Sequence, residues 1–420
     1  MAFGGASRRD SNPHRSHAAP RVEFGMDSPG LASSARLLRM RPRHKSSPLL
    51  VAALLGALTL AGCSGAEPDS EPASAPSYDS EGVTARVLPQ LAAEPSDETL
   101  AADEAAWVVE AKVKDAEAGA AVRLLALQDD EWETVDEAEL DKRGRATLTT
   151  TADGELHVVT EGEDGDIGDA VTTQDAPAES FVDDFDEDSL SGEKPTWGTR
   201  DQGYIGVRQC SKADPAAAEV SDGVLKLSVL DDPDKEQCTV KGEQYDYRLN
   251  GHVGTEHSYS FTYGYAAARV KFHEDRGQHG SFWIQSPGGG VGPTQPEAGA
   301  EIDVIEYFGD DHPQGGLTSF TYWSDPSGKK NTQGGWIEDA EDYGDDWSEQ
   351  FHVFSVEWTP KEYVFRIDGQ VTHRLKGKTS AQPEFLILSL LSSDYELEHS
   401  EELPQTMEVD WARVWETPAG

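Results

Sequence analysis

The 420-residue chain has no apolar run long enough to cross a membrane. Its longest, Pro48 to Ala61, falls short of the about 20 residues that a spanning helix needs. Long stretches of helical periodicity are also missing, while 40 Gly and 23 Pro supply turns throughout. That excludes a helical bundle and favours an all-β protein of two or three domains. With three Cys, the chain is not a disulfide-dense scaffold. Basic residues are scarce as well, 35 against 78 acidic ones, for a formal net charge of -43. From Cys63 onward the balance is 26 against 75. Such a surface repels nucleic acid and other polyanions and keeps the chain soluble, so no nucleic-acid partner is expected.

What is present begins with an address. The run from Pro48 to Ala61 has the length of a signal-peptide core, with Arg41, Arg43 and Lys45 as its positive flank. It ends in Leu60-Ala61-Gly62-Cys63, which resembles a bacterial lipobox. The resemblance implies cleavage before Cys63, lipidation of its thiol, and export to the outer face of the bacterial cell membrane. Residues 1–39 are Arg- and Ser-rich without pattern, and Met40 would start a signal of ordinary length. Arg8-Arg9 suggests a twin-arginine signal, but no apolar run follows closely. Once Cys63 is lipidated, Cys210 and Cys238 are left as a pair, and in an exported chain they are expected to form a disulfide. The loop it closes would add about 3 kcal/mol.

Residues 1–62 thus read as an N-terminal extension and signal peptide, and 63–84, rich in Ser, Pro, Ala and acids, as a flexible stalk. Residues 85–174 alternate apolar and polar in short pieces, such as Val122-Arg123-Leu124 and Ala146-Thr147-Leu148, separated by turns such as Lys142-Arg143-Gly144. This predicts a small antiparallel sandwich, similar to the immunoglobulin-like spacer domains of bacteria. After an acidic linker near 170–180, longer strands run to Trp415, and residues 180–418 suit one large two-sheet sandwich.

One stretch there carries chemistry: Ala300-Glu301-Ile302-Asp303-Val304-Ile305-Glu306-Tyr307. In a strand Glu301 and Asp303 share a face, whereas Glu306 falls on the other. One bulged residue between Asp303 and Glu306 returns it. The glutamate Cα atoms are then roughly 13 Å apart. Their side chains can lean together to the ~5–5.5 Å used by retaining glycosidases. In so acidic a chain this spacing arises by chance; the apolar interleaving, which marks a strand buried on one face, is what gives it meaning. The plain alternative is an exposed acidic strand.

Glu301-Ile302-Asp303-Val304-Ile305-Glu306 resembles the bulged motif of family 16 glycoside hydrolases, the laminarinase- and agarase-like branch. The surroundings agree in order: Phe181 to Phe185 with Trp197, Tyr263 to Lys271, Ser281-Phe282-Trp283, Phe351 to Pro360 followed by Asp368-Gly369, and Val409 to Val414. The resemblance implies a concanavalin-like jelly roll with a concave cleft. It makes Glu301 the nucleophile, Glu306 the acid/base and Asp303 the carboxyl between them. Trp283, Tyr322 and Trp323 become candidate sugar platforms, since pyranose faces pack on flat rings. No cofactor is implied for catalysis. Some members hold a structural calcium, and Asp410 matches one ligand position. The chain departs from the family at Gly277 to Ser281, where a Trp-Pro is usual, and at Ser319 to Trp323, which lacks a His.

The expected function is therefore an endo-acting retaining hydrolase of a neutral polysaccharide, such as a β-1,3- or mixed-linkage glucan or a galactan. It would be a monomer held to the membrane only by its lipid. The alternatives are a cell-surface transglycosylase and a non-catalytic carbohydrate-binding lipoprotein on the same fold.

Overall fold

A computed structural model describes residues 82–128, 131–160, 168, 170–288, 290–399 and 402–418. The signal peptide, Met40, Cys63 and nearly all of the expected stalk lie outside the described residues.

Among the described residues the first domain is a sandwich of seven strands. One antiparallel sheet has the order β1 (Val83–Ala92), β2 (Ala106–Val113), β5 (Arg145–Thr150). The other runs β4 (Glu131–Glu139), β3 (Ala121–Gln128), β6 (Glu155–Thr160), β7 (Val171–Thr172). Period-two patterning builds it: Val122, Leu124 and Ala126 of β3 are buried, and their neighbours Arg123 and Leu125 are only partly so. Between the sheets they meet Val109, Leu148 and Val158. The expected bounds shift slightly. Val83 and Thr84, placed in the stalk from sequence, already belong to β1, and β7 with the short helix Thr173–Asp175 occupies the start of the expected linker.

The second domain is a larger two-layer sandwich. Its labelled strands are β8 (Val224–Asp231), β9 (Arg248–Gly254), β10 (Gly264–Lys271), β11 (His279–Gln285), β12 (Glu301–Tyr307) and β13 (Leu317–Ser324). There follow β14 (Lys330–Trp336), β15 (His352–Trp358), β16 (Glu362–Ile367), β17 (Gln370–Lys376), β18 (Phe385–Leu391) and β19 (Gln405–Glu416). The hydrogen-bonded order is β14-β13-β12-β11-β18-β9-β8-β19-β10-β15-β16-β17. Strand β9 joins the layers: Gly251 to Gly254 pair with β18, whereas Arg248 to Asn250 pair with β8. Gly251 sits at this crossover, where a Cβ would lie 2.5 Å from the Ala217 carbonyl oxygen, so a side chain is excluded. Between the layers lies one core that includes Phe282, Ile302, Phe354, Leu388, Val409 and Val414.

Two local features follow from sequence. Asp368-Gly369 joins β16 to β17 as a two-residue turn with φ of 44° and 80°, the left-handed pair favoured in tight hairpins. Cys210 and Cys238 are disulfide-bonded, with Cα atoms 5.7 Å apart.

The first domain does not stand clear of the second as a spacer would; it is docked on it. Leu88, Leu91, Ala92 and Val108 bury against Tyr265, Val353, Trp411 and Trp415, on the face of the β8–β17 layer that points away from the core. Charge locks the contact. Glu357 binds Arg86 at 2.7 Å and Arg366 at 2.8 Å, and Glu110 reaches back to Arg366 at 2.7 Å and Arg374 at 3.0 Å.

Candidate active site

The other layer, β14-β13-β12-β11-β18-β9, bears the acids on the face away from the core. The expected bulge is present in β12. Trp283 pairs with Asp303 but Phe282 pairs with Ile305, so Val304 is the additional residue. On the opposite side, Asp303 pairs with Phe320 and Glu306 with Thr318, leaving Ser319 alone against Val304 and Ile305. The Ser319 hydroxyl donates to the Val304 carbonyl at 2.8 Å, satisfying an acceptor that the bulge takes out of the ladder. Glu306 is thereby returned to the face of Glu301 and Asp303, while Ile302, Val304 and Ile305 stay buried in the core.

The three carboxyls differ in environment. Asp303 is 5% exposed, between two partly exposed glutamates. Burial, and then the charges of Glu306 and Glu301, push its carboxyl well above the usual range. Glu306 is also raised, chiefly by burial; His279 and a 3.1 Å hydrogen bond from Thr318 Oγ1 work against that, and Glu301 adds to it. Glu301 accepts a 3.0 Å hydrogen bond from Gln285 Nε2. Asp303 and Glu306 are thus both biased toward the neutral, proton-donating form, whereas Glu301 is held by the Gln285 N–H.

Aromatic rings flank the acids. Tyr322 is the cross-strand partner of Glu301 and stacks on Phe320, the partner of Asp303, at 5.3 Å. Trp283, opposite Asp303 on β11, donates from Nε1 to Ser389 Oγ at 3.1 Å and lies beneath the Arg200 guanidinium, 5.2 Å from its ring. Trp323 does not join them, because strand alternation puts it on the opposite face of β13 from Tyr322. Sequence reasoning passed over Phe320 and Trp336. Trp336 pairs with Thr318 and stacks on His312 at 4.5 Å, beside Phe308. Its strand, Lys330–Trp336, lacks the apolar alternation that would have marked it. Also missed were Gln285, Arg200 and Thr318, polar residues whose meaning depends on register.

Asp410 lies far from this face. It is the extra residue of a second bulge, in β19 opposite Arg269 and Val270. Its Oδ2 binds the buried Arg269 guanidinium at 2.5 Å and accepts the Leu100 N–H at 2.9 Å. A cation there would displace a buried arginine. Among the described residues no group of three or more His, Cys, Asp or Glu side chains gathers to hold a metal. Asp410 therefore does not fit the calcium-ligand role that the resemblance implied.

The second domain is thus a two-layer β-sandwich with three carboxyls on one face, brought there by a bulge and flanked by aromatic rings. Residues 220–413 match the model of Glycosyl hydrolases family 16. The chain is 28% identical over 131 residues to a Beta-glucanase of Bacillus amyloliquefaciens, covering 31% of this chain and 48% of that protein. It is 27% identical over 157 residues to a Xylanase/beta-glucanase of Ruminococcus flavefaciens, covering 37% of this chain and 17% of that protein. The chain thus spans less than half the length of either relative. Among solved structures, the laminarinase catalytic domain of Thermotoga maritima aligns with a TM-score of 0.43 and 22% identity, covering 58% of this chain and 99% of that one.

Proposed function

We propose that the protein is a retaining, endo-acting glycoside hydrolase of a β-glucan. The observation that carries this reading is the bulge at Val304, which gathers Glu301, Asp303 and Glu306 on one face. The match of residues 220–413 to the family 16 model and the β-glucanase names of its relatives support it. In the first step a Glu301 oxygen attacks the anomeric carbon. The glycosidic C–O bond breaks as Glu306 gives its proton to the departing oxygen. In the second, water adds to the anomeric carbon, its proton passes to Glu306, and the bond to Glu301 breaks. Asp303, neutral in its buried position, donates a hydrogen bond to whichever neighbour is anionic. Tyr322, Phe320 and Trp336 offer ring surface to successive sugars.

The test is the anomeric form of the first product from a β-1,3- or mixed-linkage glucan, followed by NMR with the full mature chain. Retention is expected; initial inversion would mean that the glutamates stand too far apart for direct attack. The lipobox supports an anchor at Cys63. Cys63→Ala is expected to move the protein from the membrane fraction to the soluble one or to block its maturation. A normally processed, membrane-bound variant would refute the anchor.

A further inference from the structure

Glu301 is the end of a polar chain that starts at Arg200, just after the short strand Gly198–Thr199. Gln285, its cross-strand partner on β11, donates from Nε2 to Glu301 Oε2 at 3.0 Å. The Gln285 Oε1 accepts from Arg200 Nη2 at 3.1 Å. A guanidinium can only donate and an ionised carboxylate can only accept. The amide between them satisfies both in one orientation alone, with its NH2 toward Glu301.

Arg200 is itself fixed on all sides. Its Nε contacts Glu256 at 3.4 Å and its Nη1 contacts His252 Nε2 at 3.3 Å. The guanidinium lies 5.2 Å from the rings of both Trp283 and Phe385. Since Arg200 donates, His252 must accept at Nε2, which requires a neutral ring; burial, then Arg200, lowers its pKa well below the ordinary value. No part of this set can turn without losing a partner.

We propose that Gln285 is a positioning residue for the nucleophile, aligned by Arg200, which holds Glu301 Oε2 and leaves Oε1 to attack. The inference rests on the reading of Glu301 given above. Gln285 would contribute to the step that forms the glycosyl–enzyme bond and not to capture of the polymer. A hydrogen bond to a charged oxygen sustains a rate loss of roughly ten- to a hundredfold when removed.

The experiment compares Gln285→Met, Gln285→Glu, Arg200→Met and the Arg200→Met/Gln285→Met pair in the full mature chain, with kcat and KM measured separately. Gln285→Met is expected to lower kcat by roughly tenfold or more with KM within about twofold. Gln285→Glu, nearly isosteric, sets a carboxylate against Glu301 and is expected to lose more at neutral pH. The double variant should be no slower than Gln285→Met, because both act through one hydrogen bond. Unchanged kcat in both Gln285 variants, or a rise in KM alone, would overturn the inference. Glu301→Ala is run beside them. If it is inactive and rescued by azide while the Gln285 variants match wild type, only this inference fails. If Glu301→Ala keeps its kcat, the nucleophile assignment and this inference fall together.

Discussion

Burial raises the pKa of Glu306, and its role requires a proton at rest. Because its pKa is raised, that proton is held at low pH and lost as pH rises through the shifted value. The alkaline limb of kcat/KM is therefore expected above the ordinary glutamate range, and Glu306→Gln should abolish it along with most of the rate. Azide added to Glu306→Ala should give product of retained configuration, and added to Glu301→Ala product of inverted configuration; product NMR reads both. The acids were legible in sequence because apolar residues interleave them and two of the three obey simple alternation. Their supports were not. Thr318, Gln285 and Arg200 come from other strands, and only register brings them within hydrogen-bond reach. Trp323 shows the converse: an aromatic next to Tyr322 in sequence is turned away by the same period-two rule.

Strand β12 depends on an element that no single residue encodes. Ser319 faces two residues of β12 and ties down the carbonyl of Val304. Ser319→Ala is expected to destabilise the domain by about 1–2 kcal/mol, read by thermal or urea unfolding, since a buried acceptor loses its donor. It should also slow turnover, because the bulge sets the spacing of Glu301 and Glu306. An unfolding midpoint equal to that of wild type would show that the bulge holds without this bond. Elements with local signatures were readable: the Asp368-Gly369 hairpin, the alternating strands, and the second bulge only as the Val409 to Val414 motif. What the motif could not tell was that Asp410 would answer to Arg269 and not to a cation. That partner is set by β10, 141 positions away in sequence.

Two sandwiches were visible from alternation and turn spacing, but their docking was not. The interface is made of residues that look unremarkable in each strand, such as Leu88, Val108, Val353 and Trp411. Burial alone would raise the Glu110 carboxyl, yet Arg366 and Arg86 pull it down to about 2 from 4.5. A depressed carboxyl stabilises the fold above its unfolded pKa. That contribution should fade as pH falls from about 4.5 toward 2, and Glu110→Gln should flatten acid unfolding in the same window. Separately, residues 180–420 expressed alone would bare Trp411, Trp415, Tyr265 and Val353. They are expected to unfold at lower temperature and to aggregate more than the two-domain chain. Equal melting points would mean that the interface adds nothing. The covered face also makes the molecule one-sided. Among the described residues, two sheet faces of the second domain meet in its core and one lies under its neighbour, whereas the acid-bearing face is not covered by the first domain. The first domain is thus a handle. Coupling the protein to a bead through an exposed residue such as Lys114 should leave a soluble glucan as accessible as before, whereas coupling through Lys330, beside Tyr322, should not.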